Sequence, residues 1–267
     1  MANIGSGNDS LKDFEIDGTV IVKYNGDSAN VVIPDGITAI GEQAFRARKS
    51  LKSITIPNSV TTIGGFAFTQ CVALESIAIP SGVTAIAEYM FYDCKSLESV
   101  IIPDGVKSIS DSAFYGCSSL KSIAIPDSVT EIGDEAFRAC SLKSMTVPSG
   151  VKSIGYCLFR GCKSLESVII PDGVKSISGG AFYGCSSLKG ITIPNSVKSI
   201  GEGAFTGCCK LYDIVFSGTV AQWKAVAKES GWDADIHYWD VENYEDGYDS
   251  FEDLGDYKIH CADALLS

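Results

Sequence analysis

The sequence predicts an α/β solenoid of about eight stacked 23-residue coils, and three columns of residues predict it. All eight prolines share one register: Pro34, Pro57, Pro80, Pro103, Pro126, Pro148, Pro171 and Pro194, in steps of 23 residues with a single step of 22. A phenylalanine follows each proline by eleven residues, giving Phe45, Phe68, Phe91, Phe114, Phe137, Phe159, Phe182 and Phe205. A cysteine follows seven of those phenylalanines by three residues (Cys71, Cys94, Cys117, Cys140, Cys162, Cys185 and Cys208), with Arg48 in the first unit. A leucine column from Leu51 to Leu211 keeps the same register, and the one short step is a deletion between Cys140 and Leu142.

Each coil reads as one circuit. Leu51 to Pro57 alternates apolar and polar residues, as a short strand with one buried face requires. Proline has no N–H to give a neighbouring strand, so it ends the run. Asp104-Gly105 or Asn58-Ser59 then makes a turn. Val106 and Ile109 supply two more inward side chains on the far side, and Ala113-Phe114 packs from a short helical or 3₁₀ turn. One coil cannot bury its apolar side alone, so the coils must stack, with Phe, Leu and Ile forming internal ladders. At roughly 4.8 Å per rung, nine rungs make a body on the order of 40 Å long.

The ends of such a stack must hide an open core. Phe14 to Gly26 alternates around Asp17-Gly18 and Asn25-Gly26, both strong hairpin signals, so residues 1–30 are read as an N-terminal hairpin cap. Residues 31–216 are the solenoid. Residues 217–232 read as a capping helix, with Thr219 as N-cap, Gly231 just past its end, and Val220, Trp223 and Ala227 on one face. Trp223 is expected to lie over the last rung. Residues 233–267 form an acidic, aromatic C-terminal segment.

Charge excludes some functions. The net charge is −12, of which residues 233–256, with ten acids and no Lys or Arg, contribute −10. A body near neutrality argues against a nucleic-acid partner, which needs a positive surface. No run of 18 apolar residues suggests a membrane span, and the first residues lack a basic, then apolar, secretory signal.

The pattern Leu-x-x-Ile-x-Ile-Pro-x-x-Val-x-x-Ile-Gly-x-x-Ala-Phe-x-x-Cys, as in Leu51 to Cys71 and Leu120 to Cys140, resembles the BspA-like (Treponema-type) leucine-rich repeat. The resemblance covers about residues 31–216. It implies a right-handed curved solenoid with a parallel sheet on its concave side and short strands and helical or 3₁₀ turns on its convex side. It also implies an extracellular or cell-surface protein that binds other proteins. It names no ligand, because the matching residues are core and turn positions.

The remaining chemistry is sparse. The ten cysteines form no zinc-like cluster, and a column of parallel Cβ vectors is poor disulfide geometry. The column therefore reads as buried thiols acting as small hydrophobes, leaving Cys157, Cys209 and Cys261 as the better candidates for reactive thiols. The two histidines, His237 and His260, have no nucleophile–base motif around them, so no catalytic residue, metal ligand or cofactor is expected. In the acidic segment, aligning Gly247 with the glycine of an EF-hand loop puts Tyr244 at a ligand position, and the calcium reading fails.

The outward residue between the two buried strand positions runs Val32, Thr55, Ala78, Ile101, Ala124, Thr146, Ile169, Thr192 and Val215. This column is uncharged and borders a charged one (Lys52, Glu75, Glu98, Lys121, Lys143, Glu166 and Lys189), an arrangement suited to a protein partner. Thr55, Ala78, Ile101, Ala124, Thr146, Ile169 and Thr192 are the candidate binding residues. The bland alternative is that β-branched residues simply favour a sheet. Tyr92, Tyr115 and Tyr183, in register with Arg46, Arg138 and Arg160, form a second candidate surface. Residues 97–126 and 165–194 differ at only four of thirty positions, which suits an extended surface better than one unique pocket. The expected function is a non-catalytic, monomeric protein-binding module; a structural or self-assembling spacer is the alternative.

Overall fold

The computed structural model describes residues 11–233 and 258–262. It is a parallel-sheet β-solenoid of about nine turns with little helix. Each proline marks where one flank ends. Ile33 and Ile79 still donate across the stack to Thr55 and Ile101, at 3.0 Å each, and the proline that follows gives no such bond. The proline carbonyl instead accepts from the valine three residues on, as in Val60 to Pro57 at 3.0 Å and Val106 to Pro103 at 3.1 Å. That turn reverses the chain into the second flank.

The first flank carries the longer strands. Asn30–Val32, Ser53–Thr55, Ser76–Ala78 and Ser99–Ile101 pair in parallel with equivalent residues side by side. The sheet resumes at Ser144–Thr146, paired with Ser167–Ile169, and again at Gly190–Ile193, Asp213–Phe216 and Lys258–Cys261. Residues 121–126, where the sequence predicts a strand, form none, and Ile123 and Ile125 are half-buried. This gap adjoins the one short coil. Elsewhere the leucine N–H reaches back to the cysteine carbonyl, as in Leu120 to Cys117 and Leu165 to Cys162 at 3.0 Å each. Only Ser141 separates Cys140 from Leu142, too few residues to close that turn.

The second flank holds two-residue strands, such as Ser153–Ile154, Ser176–Ile177 and Ser199–Ile200 in parallel register. The arc between flanks is a chain of 3₁₀-type turns. Ala44, Arg46 and Arg48 donate to Gly41, Gln43 and Phe45 within the coil, while Gln43, Phe45 and Ala47 donate to Gly65, Ala67 and Thr69 of the next. Alternate N–H groups thus serve the coil and the stack. Two columns of left-handed residues make this alternation possible; one runs through Ala47, Gln70, Asp93, Gly116, Ala139, Gly161, Gly184 and Gly207. Only the glycines occupy that conformation without steric cost.

The core is one continuous ladder. All eight phenylalanines of the repeat are fully buried. Successive rings stack at centroid separations from 5.3 to 6.1 Å, the widest step being Phe137 to Phe159 across the short coil. At the N-terminal end, β1 (Phe14–Asp17) and β2 (Val20–Tyr24) form an antiparallel hairpin through Gly18, which has φ 60°. Asn25-Gly26 makes no second hairpin: β2 pairs in parallel with Ala39–Ile40, and the chain runs on into the first coil. Tyr24 stacks on Phe45 at 5.1 Å, with Phe14 tilted against it at 4.9 Å.

The other end differs from the expected helix over 217–232. Helix α1 is only Val220–Ala225, started by a capping box between Thr219 and Gln222. Val226 turns extended because Ala227–Lys228 pairs as a strand with Ser199–Ile200. Ala227 is therefore exposed, and Gly231 (φ 68°) serves a later turn rather than the helix end. Trp232, not Trp223, meets the last phenylalanine, edge-on to Phe205 at 6.0 Å. Trp223 packs beside it at 5.9 Å and lies 5.2 Å from Phe216.

Candidate functional site

The first flank assembles the uncharged column. Strand register sets Val32 beside Thr55, Ala78 beside Ile101, Thr146 beside Ile169 and Thr192 beside Val215. Alternation along each strand buries the flanking positions, such as Val100 and Ile102, and turns the middle one outward. Thr55, Ala78, Ala124, Thr146 and Thr192 are all exposed, and Ile101 and Ile169 keep 64% and 62% of their surface in solvent. Those are large values for isoleucine on a protein that buries every other repeat isoleucine at least in part. The column also runs one rung beyond Val215: His260 pairs beside it and lies 3.3 Å from Asp213. Sequence spacing could not reveal that rung, because His260 arrives outside the 23-residue period.

The charged column beside it is partly self-compensated. Lys52 pairs with Glu75 at 3.4 Å, and Lys189 with Glu166 at 2.9 Å, which holds the Glu166 carboxyl below its usual range. Exposed pairs of this kind are screened by solvent, so they shape the surface more than they stabilise it. Lys121 and Lys143 are neighbours, linked by a 3.1 Å backbone hydrogen bond, and sit where the sheet is interrupted.

The cysteine column has a role that spacing alone missed. Each thiol donates to the phenylalanine carbonyl of the preceding coil: Cys71 to Phe45 at 3.0 Å, Cys117 to Phe91 at 3.2 Å, Cys208 to Phe182 at 3.1 Å. The repeated offset between donor and acceptor, 26 residues except for 25 at Cys162 across the short coil, was the available signal. Burial pushes the Cys71 and Cys162 thiols up to about 12, and the other five of the column well above the usual value. None of the ten cysteines is in a disulfide. Cys157 and Cys261 are buried, at 1% and 3% exposure, so neither is an accessible thiol; Cys209 is half-buried.

The turn edge is occupied by its own contacts. Tyr92 stacks on Tyr115 at 4.8 Å, Arg138 lies over Tyr115 at 5.0 Å, and Arg160 over Tyr183 at 4.5 Å. Arg138 also pairs with Glu135 at 2.6 Å. These ring faces are spent on neighbouring rungs. On the second flank, a shallow groove is lined by Glu42, Glu88, Asp111 and Glu131. There Asp111 already accepts the backbone N–H of Asp134 at 2.8 Å. Among the described residues no three His, Cys, Asp or Glu side chains are grouped to hold a metal ion, and no helix is long and apolar enough to cross a membrane. The acidic stretch considered for calcium lies outside the described residues, as does His237.

Residues 23–142 and 130–227 match the family described as BspA type Leucine rich repeat region (6 copies). Among solved structures, a leucine-rich repeat protein from Bacteroides ovatus ATCC 8483 is similar at 29% identity and a TM-score of 0.69, over 79% of this chain and 61% of that one. This chain thus spans about three fifths of that protein. The T. pallidum leucine-rich repeat protein is similar at 31% identity and a TM-score of 0.57, over 75% of this chain and 88% of that one. No curated protein matches the sequence.

Proposed function

The chain belongs to the BspA-type leucine-rich repeat family, and from that premise we propose that it is a non-catalytic protein-binding module of a surface-exposed or secreted protein. Binding is through the strand face, by Thr55, Ala78, Ile101, Ala124, Thr146, Ile169 and Thr192. One observation carries this reading: Ile101 and Ile169 stand 64% and 62% exposed on the two strand segments that border the sheet's interruption, while the alternate positions of those strands are buried in the core. Neither helps the fold by its exposure, and exposed apolar strips beside mixed charge mark protein contact surfaces. The family resemblance supports the surface location, where such repeats meet host or neighbouring-cell proteins.

The test is capture of proteins from cell-surface extracts by the immobilised chain and by an Ile101→Asp/Ile169→Asp variant. Both positions are exposed, so the variant is expected to keep its circular dichroism and its unfolding midpoint. Loss of the captured species by the folded variant is the expected result. Identical capture would remove this strip from the function.

A further inference from the structure

We infer that the strand face recognises an extended peptide carrying an acidic side chain midway between two apolar ones. The inference rests on the strand-face reading and goes beyond it by naming the partner's chemistry. Three observations on one short stretch of the column converge.

The relief is the first. Between the exposed Ile101 and Ile169 lie two rungs with small outward residues, Ala124 and Thr146, so two apolar ridges flank a notch. The charge is the second. Lys121 and Lys143 border that notch on adjacent coils, both exposed, and neither makes an ion pair among the described residues. Further along the same column Lys52 and Lys189 are each matched by a glutamate. Like charges on adjacent coils repel, so an acidic group placed between the two lysines is favoured. The third observation explains why neither lysine has a close carboxylate. Glu98 stands one coil before Lys121, yet the strand pairing that would align them stops after Ser99–Ile101. On the other side, Glu166 is ion-paired to Lys189, and Lys143 acts on it only from a distance.

The spacing sets the peptide pattern. Ile101 and Ile169 are three coils apart, about 14 Å when each coil, including the unpaired one, is assigned one usual strand separation. An extended peptide rises about 3.3 Å per residue, so its side chains at i and i+4 span the same distance and face the same way. Apolar groups at i and i+4 then rest on the two isoleucines. The side chain at i+2 points into the notch, where a carboxylate comes within reach of both lysine ammonium groups. Glu98 at the edge of the notch repels an acid placed nearer the N-terminal end.

Fluorescein-labelled Leu-Ser-Glu-Ser-Leu is titrated by anisotropy against the full chain, beside Leu-Ser-Lys-Ser-Leu and Leu-Ser-Gln-Ser-Leu. The glutamate peptide is expected to bind at least about tenfold more tightly than the lysine peptide, with an advantage that shrinks as salt rises. A Lys121→Glu/Lys143→Glu variant, altered only at exposed positions, is expected to reverse the preference. No binding, no preference in the wild type, or an unchanged preference in the lysine variant overturns the inference. Capture of a surface protein that depends on Ile101 and Ile169, with no preference among the peptides, leaves the strand-face reading standing. Capture insensitive to those isoleucines removes both.

Discussion

Replacing Phe114 by alanine probes the ladder at its centre. The ring is fully buried, with Phe91 at 5.3 Å on one side and Phe137 at 5.4 Å on the other. Truncating a buried phenylalanine costs about 3–5 kcal/mol, and the loss grows with the cavity that the surroundings fail to close. Here closure is hindered. The Phe114 N–H donates to Ala136 at 2.9 Å, and its carbonyl accepts the Cys140 thiol at 3.1 Å. Both bonds hold the coil at its spacing whatever the side chain does. The expected loss therefore lies in the upper half of that range, about 4–5 kcal/mol. Urea unfolding followed by circular dichroism measures it, with an unchanged slope showing that the stack still unfolds as one unit. A loss below about 1 kcal/mol at unchanged slope would refute the argument that the phenylalanines carry the stack.

Further expectations follow from the thiols and the turns. Nine of the ten cysteines are buried and Cys209 is half-buried, so the native chain should react with no more than one equivalent of a thiol reagent, and with ten in guanidinium. Reaction of several thiols in the native state would contradict their placement. The Cys71 and Cys162 thiols hold their protons to about 12 when folded and to the ordinary 9.0 when unfolded. The folded state binds more protons in that window, so the thiols' contribution to stability should be fully present below about pH 9 and be lost as pH rises towards 12; denaturant titrations between those values check the sign. Cys117→Ala removes the donor to Phe91 and leaves a small void, an expected loss of about 1–2 kcal/mol. Gly161 has φ 72°, and a Cβ there would meet only Ala139 at 4.0 Å, so Gly161→Ala isolates backbone strain. The strain of about 1–2 kcal/mol, less the gain from a stiffer unfolded chain, should cost about 0.5–1 kcal/mol in the same titration.

Period and polarity made most of the fold legible. The proline, phenylalanine, cysteine and leucine columns each mark a position whose environment recurs on every rung, so one residue type fits all of them. The outward strand column was legible for the same reason, since alternation alone turns Ile101 and Ile169 to solvent. What stayed hidden lacks a constant residue type. The left-handed turn position is filled by Ala, Gln, Asp and Gly in different coils, because any of them tolerates that φ where the stack's hydrogen bonds enforce it. The glycines at 116, 161, 184 and 207 were the one visible trace. A helix through 217–232 would put Trp223 over the last rung, whereas strand pairing at Ala227–Lys228 ends the helix after six residues and leaves Trp232 to meet Phe205. The gap at 121–126 arises one coil away from the deletion that accompanies it, so the strand's own sequence carries no sign of it.

The central claim is that the strand face, and not the turn edge or the second flank, meets the partner. Photo-crosslinking tests it most directly. A benzoylphenylalanine placed at Thr146 on the strand face is compared with one at Thr130 on the opposite flank; both positions are exposed. Each chain is irradiated with the same cell-surface extract, and the adducts are identified by mass spectrometry. The account predicts a discrete adduct from position 146 that is lost in the Ile101→Asp/Ile169→Asp background, and none from position 130. The same adducts from both positions, or adducts from position 130 alone, would contradict it.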